Sequence, residues 1–278
     1  MPHHWPRPVA SRTWWRPRQR ATLLAGRYRL RSRARRQREF YSLGLVAVTR
    51  AFETDDYHPD YGILILADTN QAWDPNEDPQ LPHHRDRGDM PTGAFAGSGA
   101  GWVAAQAPDL SDHTVRIELH DVPPTAERAH FDEILETPFR SSSGELTLTD
   151  LTGGYGEADL HLGDTEWFRV RVARRPADGD GYYWLIQFWP DPSRELPVWF
   201  ARSSQMGDRA SGVASDIEAL LRWTPQLPLE TSVDDLAERL LVSGTAVRKA
   251  LAVAEKDGLL HIDGDDPLRL SLDRQTDS

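Results

Sequence analysis

The chain contains no cysteine. That excludes a disulfide framework and any thiolate metal site, so the fold must stand on packing alone. Long apolar runs are also lacking. Stretches such as Ile63 to Ala67 fall far short of the roughly 20 residues a membrane-spanning helix needs, so no membrane span is expected. Also missing is any constellation of acid, base and nucleophile. Asp74, Asn76 and Asp78 open like a calcium loop, but Pro79 stands where the sixth position needs glycine, and Arg85 where the twelfth needs a bidentate glutamate. His83, His84, Asp86 and Asp89 lie on a polar, proline-containing loop with no rigid element to aim them at an ion. The glycine-rich stretch from Gly93 to Gly101 has no Gly-Lys-Ser/Thr and no helix-forming sequence after it, so it reads as a loop or bulged strand. Arg87-Gly88-Asp89 is a chance triplet, and the serines at Ser141 to Ser143 and Ser203-Ser204 sit in no elbow pattern. The expectation is a protein that is not an enzyme, with no cofactor and no metal.

What is present exceeds one ordinary domain: 278 residues leave room for a second globular unit. Charge divides the chain in three. Residues 1–40 hold 12 Arg and a single acid, Glu39; residues 41–204 hold 12 Arg and 28 acids; residues 205–278 hold 8 basic and 14 acidic residues. The formal net charge of -11 therefore averages a basic arm with an acidic body.

The arm has no apolar period of either kind, so residues 1–40 are expected to be disordered in isolation. It reads as a basic tail for nucleic acid or an acidic partner, or as sequence translated from a start codon placed too early. Arg35-Arg36 before Ser42 to Val48 invites an export-signal reading, which the short apolar segment and the missing cleavage site oppose.

From residue 41 to about 200 the dominant signal is period-two alternation. Val115, Ile117 and Leu119 alternate with Thr114, Arg116 and Glu118; Leu146 and Leu148 with Thr147 and Thr149; Phe168, Val170 and Val172 with Arg169 and Arg171. Such segments are half-buried antiparallel strands, with the polar set facing solvent. Further strands are expected over Leu43 to Thr49, Gly62 to Ala67, Trp102 to Ala105, Phe131 to Thr137, Ala158 to Leu162 and Tyr182 to Trp189. Turn-forming pairs such as Pro123-Pro124 and Gly153-Gly154 separate them. About nine short strands without intervening helices predict an antiparallel β-sandwich. Trp102, Trp167, Trp184 and Trp189 fall in or beside strands, where large aromatics fill a core.

The strand order from Tyr61-Gly-Ile-Leu-Ile-Leu through Thr114-Val-Arg-Ile-Glu-Leu and Gly144-Glu-Leu-Thr-Leu to Tyr183-Trp-Leu-Ile-Gln-Phe-Trp-Pro190 resembles the competence-protein J family. The similarity spans about residues 43–190 and carries no chemical motif. Members of that family are small β-sandwich inhibitors of a DNA-entry nuclease. The resemblance implies a binding domain whose acidic loops, including Asp74 to Asp78, Asp86 to Asp89 and Asp178 to Asp180, face a basic protein partner.

After a polar connection over residues 201–214, residues 215–278 carry helix signals. Ser215 is placed to cap a short helix over Asp216 to Arg222, and Thr231-Ser232 caps a second, with Asp234 and Asp235 in its first turn. Ser243 caps a third, whose Val247, Leu251 and Ala254 form one stripe and which stops at Asp257-Gly258. Leu259 to Asp263 and Leu268 to Leu272 then read as a two-stranded hairpin. The string Ser243-Gly-Thr-Ala-Val-Arg-Lys-Ala-Leu251 followed by Glu255-Lys-Asp-Gly-Leu-Leu260 resembles the winged helix-turn-helix of bacterial transcription regulators. In that family the third helix enters the major groove. The resemblance implies Ser243, Thr245, Arg248 and Lys249 as the DNA-facing set, with Arg248 on guanine or phosphate and Lys249 on phosphate. Gly244 and Ala246 depart from its usual polar or basic residues, and Asp263, Asp265 and Asp266 make the wing acidic. The fold expected is mixed: an antiparallel β-sandwich followed by an α+β winged helix domain. The function expected is a cytoplasmic, non-enzymatic, DNA-binding transcriptional regulator. The alternative is a protein-binding module of nuclease-inhibitor or immunity type, with the winged helix serving protein contacts.

Overall fold

The computed structural model describes residues 48–59, 62–69, 95–107, 111–126, 128–149, 158–179, 181–203 and 210–272. The Arg-rich arm and the Asp74–Asp78 and His83–Asp89 motifs lie outside them. The described residues are mostly β-strand with three α-helices, a mixed architecture.

Alternation becomes strand at each place it was expected among these residues; of the strand expected over Leu43 to Thr49, residues 43–47 lie outside them. A six-stranded sheet runs in the order β1 (Val48–Tyr57), β5 (His113–His120), β10 (Tyr182–Pro190), β9 (Trp167–Pro176), β6 (Glu133–Arg140) and β11 (Val198–Ala201). A five-stranded sheet runs β3 (Ala96–Gly99), β4 (Trp102–Gln106), β2 (Ile63–Asp68), β7 (Glu145–Thr149) and β8 (Leu160–His161). Val115, Ile117, Val170, Val172, Ile186 and Phe188 of the first sheet share one buried cluster with Leu64, Leu66, Val103 and Leu146 of the second. Burial of each such side chain stabilises by about 1.5–3 kcal/mol. Trp184 lies at 0% exposure and stacks on Phe95 at 6.0 Å.

The all-antiparallel expectation is corrected at one ladder. β5 and β10 run parallel, Ile117 opposite Ile186. Parallel neighbours need a long connection, and here the chain builds β6 to β9 on the way, two of them in the other sheet.

The C-terminal region runs α1 (Ala210–Trp223), β12 (Leu229–Thr231), α2 (Val233–Leu240), α3 (Gly244–Lys256), β13 (Leu260–Asp263) and β14 (Leu268–Leu272), its strands ordered β12-β14-β13. Two local expectations are corrected. α1 starts at Ala210, so Ser215 is buried inside the helix and caps nothing. The reason is that Val213 and Ile217 extend the stripe of Leu220 and Leu221 upstream by a turn. Just before the polar connection, β11 was not foreseen; there Trp199 pairs with Leu135 and is buried at 2% exposure.

All described residues fall in one compact unit, and its core is continuous. Trp199, Val213, Ile217, Leu236 and Leu240 belong to the same cluster as the strand residues. Polar contacts reinforce the junction. Arg239 Nη1 donates to the carbonyls of Leu196 and Pro197, both at 3.3 Å, and Arg202 Nη1 donates to the Leu240 carbonyl at 3.1 Å. Arg202 also lies 2.8 Å from Asp216 on α1, with side chains 1% and 6% exposed.

Candidate functional site

The expected site residues are set by two helix caps. Ser232 accepts from the Asp235 amide while the Asp235 carboxylate accepts from the Ser232 amide, a complete capping box that starts α2. Leu241 takes a left-handed conformation (φ 50°) that ends α2, and Ser243 Oγ accepts from the Ala246 amide at 3.1 Å to start α3.

α3 buries Ala246, Val247, Ala250, Leu251 and Ala254 and exposes Thr245, Arg248, Lys249, Ala252, Glu255 and Lys256. Positions 245, 248, 249, 252 and 256 share one helix face. Three of the four expected site residues, Thr245, Arg248 and Lys249, are thus brought together in solvent. Ser243 is exposed too, but its oxygen is committed to the cap. Lys256, two turns beyond Lys249, was missed, although the spacing (i, i+7) is legible in the sequence. Lys249 and Lys256 are the only two lysines of the chain. Among the described residues no ion pair engages Arg248, Lys249 or Lys256. Acids flank the stripe: Asp234 and Asp235 at the start of α2, and Asp263, Asp265 and Asp266 at the hairpin, are all exposed. A Cβ at Gly244 would lie 3.7 Å from Arg248 Nη1 and 3.9 Å from Asp234 Oδ1, so the guanidinium folds back over Gly244 on the Asp234 side.

A second concentration of charge was not foreseen. Several polar alternates of β5 and β9, read as solvent-facing, are instead buried in a bonded network with polar residues of β6 and β10. Arg171 Nε and Nη2 donate to Glu136 Oε1 at 2.8 and 2.6 Å, and its Nη1 donates to Gln187 Oε1 and the Pro124 carbonyl. Arg169 donates to the carbonyls of Glu195 and Leu196, and burial pushes its guanidinium below its ordinary value against the attraction of Glu136. The chain segments at Pro124 and at Glu195–Leu196 therefore lie over this face, an arrangement alternation cannot encode. Burial alone would raise Glu118. Hydrogen bonds from His120 (2.9 Å), Gln187 (2.9 Å) and Arg116 (2.6 Å) outweigh it and hold the carboxyl at about 2.

At the junction, burial pushes Asp216 up to about 6, with the adjacent Arg202 only partly offsetting the effect. Ser141 Oγ and the Ser142 and Ser143 amides all donate to the buried Asp68 carboxylate at 2.7 to 3.0 Å; these serines position a loop. Among the described residues no group of three His, Asp or Glu side chains could hold a metal ion, and no helix is long and apolar enough to cross a membrane.

No family model matches the chain, and no curated protein matches it. Among solved structures, the crystal structure of ComJ, inhibitor of the DNA degrading activity of NucA, from Bacillus subtilis aligns at 10% identity and a TM-score of 0.34, over 48% of this chain and 92% of that one.

Proposed function

We propose that this protein is a non-enzymatic DNA-binding transcriptional regulator. In this reading residues 41–200 form a β-sandwich that senses or recruits a partner. The region from α1 onward is a winged helix-turn-helix, with α3 as the recognition helix and β13–β14 as the wing. The element order α1-β12-α2-α3-β13-β14 supports the winged helix. The observation that carries the function is the exposed stripe Thr245, Arg248, Lys249 and Lys256, which holds both lysines of the chain and, among the described residues, no ion pair. Arg248 supplies a bidentate donor for guanine or phosphate, and the lysines supply point charges for phosphates flanking the groove. The acids around the stripe lower nonspecific affinity, so binding depends on a matched site.

The test is selection from a random duplex library at low salt, followed by mobility shifts in graded salt. A selected duplex is expected to bind with a negative salt slope, which Lys249→Ala and Lys256→Ala each reduce by roughly 0.9 per lost phosphate contact. Arg248→Ala is expected to weaken binding by about 1–3 kcal/mol and relax sequence preference. Failure to enrich any sequence would refute the reading.

The acidity of residues 41–204, with 28 acids against 12 Arg, favours a second reading: a protein-binding module of nuclease-inhibitor or immunity type whose partner is basic. A purified basic nuclease whose activity is unchanged by a molar excess of this protein is not such a partner. Salt-sensitive inhibition would favour this reading over the first.

A further inference from the structure

A groove of about 470 Å³ opens on the outward face of the six-stranded sheet, a volume suited to a small organic molecule. Its two halves differ in chemistry. One is apolar and aromatic: the Phe131 and Tyr183 rings lie 6.3 Å apart at 30°, beside Leu185. The other is polar, with Arg116, Glu118 and His120 among its lining. Both oxygens of Glu118 are already engaged, Oε1 by Arg116 and Oε2 by His120 and Gln187.

Two polar atoms remain unused. Arg116 spends Nε on Glu118 and Nη1 on Glu53. Its Nη2 has no hydrogen bond among the described residues, and its side chain is 27% exposed. His120 turns Nε2 to the Glu118 carboxylate at 2.9 Å, with Gln187 Nε2 at 3.3 Å. Nδ1 has no partner although the side chain is only 4% exposed. That nitrogen is sealed from solvent, whereas Arg116 is open to it. The groove therefore offers an aromatic wall and a guanidinium N–H for an anion.

We propose that the groove binds a small aromatic carboxylate, with its ring against Phe131 and Tyr183 and its carboxylate on Arg116. The site is independent of the α3 stripe and of any DNA contact, so it stands or falls by a measurement made without DNA. The intact chain is titrated calorimetrically with the three hydroxybenzoate isomers, and with benzylamine as a ligand of similar size and opposite charge. At least one isomer is expected to bind, with benzylamine at least roughly tenfold weaker, the scale of one charge-assisted hydrogen bond. Arg116→Ala is expected to weaken the bound isomer roughly tenfold and Arg116→Lys to restore part of that loss. Phe131→Ala, which leaves the ion pairs untouched, is expected to weaken it severalfold and serves if Arg116→Ala does not fold. Absence of heat with all three isomers, equal binding of benzylamine, or wild-type affinity in both folded variants would overturn the proposal.

Discussion

Asp216→Asn tests the junction between the strands and the helices through its pH dependence. The Asp216 carboxyl is buried against Arg202 and raised from 3.8 to about 6, so the folded state favours the protonated form. The stability this contributes is fully present below about pH 3.8, is lost as pH rises to about 6, and is absent above. A shift of about 2 units at roughly 1.4 kcal/mol per unit makes the loss about 3 kcal/mol. Urea denaturation followed by far-UV circular dichroism, from about pH 4 to about pH 7, should show wild type losing stability relative to Asp216→Asn by that amount. At neutral pH, Arg202→Met strands a buried carboxylate and should cost about 3–5 kcal/mol, while the double variant recovers most of the loss because no unpaired charge remains. The reasoning fails if Asp216→Asn keeps the wild-type slope, or if Arg202→Met is no less stable than the double variant.

Glu118 titrates in the opposite sense. Held at about 2 rather than 4.5, it contributes stability that is present above about pH 4.5 and lost as pH falls through about 2. Glu118→Gln should therefore abolish up to about 3 kcal/mol of acid sensitivity in that window, read from acid titration in urea. Gly144 sits at φ +72°, and a Cβ there would meet the Gly163 carbonyl oxygen at 2.1 Å; Gly144→Ala should cost at least about 2 kcal/mol by thermal or urea melts. Ser232→Ala removes one half of the capping box of α2 and should cost about 1 kcal/mol. Leu236→Ala, at 1% exposure in the shared core, should cost about 2–5 kcal/mol and lower the strand and helix signals in a single transition. Two separate transitions would contradict a continuous core.

Local rules account for much of the fold. The period of two in Val115-Arg116-Ile117-Glu118 sets a strand, and the serines at 232 and 243 cap α2 and α3 through bonds to amides three residues away. Each of these signals acts over a few residues, so a linear reading captures it. The stripe of Thr245, Arg248 and Lys249 was legible for the same reason, since helical spacing alone puts these side chains on one face. β3, β11 and β12 were harder. Three or four residues are too few to establish a period, and these strands exist because β4, β6 and β14 offer them unpaired edges.

Tertiary structure alone decided the fate of the polar alternates. Alternation says that the two faces of a strand differ; it does not say that the polar face is wet. Arg169 and Arg171 are buried because segments tens of residues away, at Pro124 and Glu195–Leu196, pass over them and offer carbonyls in place of water. The same closure forms the groove beside Phe131 and leaves His120 Nδ1 without a partner. It depends on which distant groups meet, which no short-range pattern in the chain records.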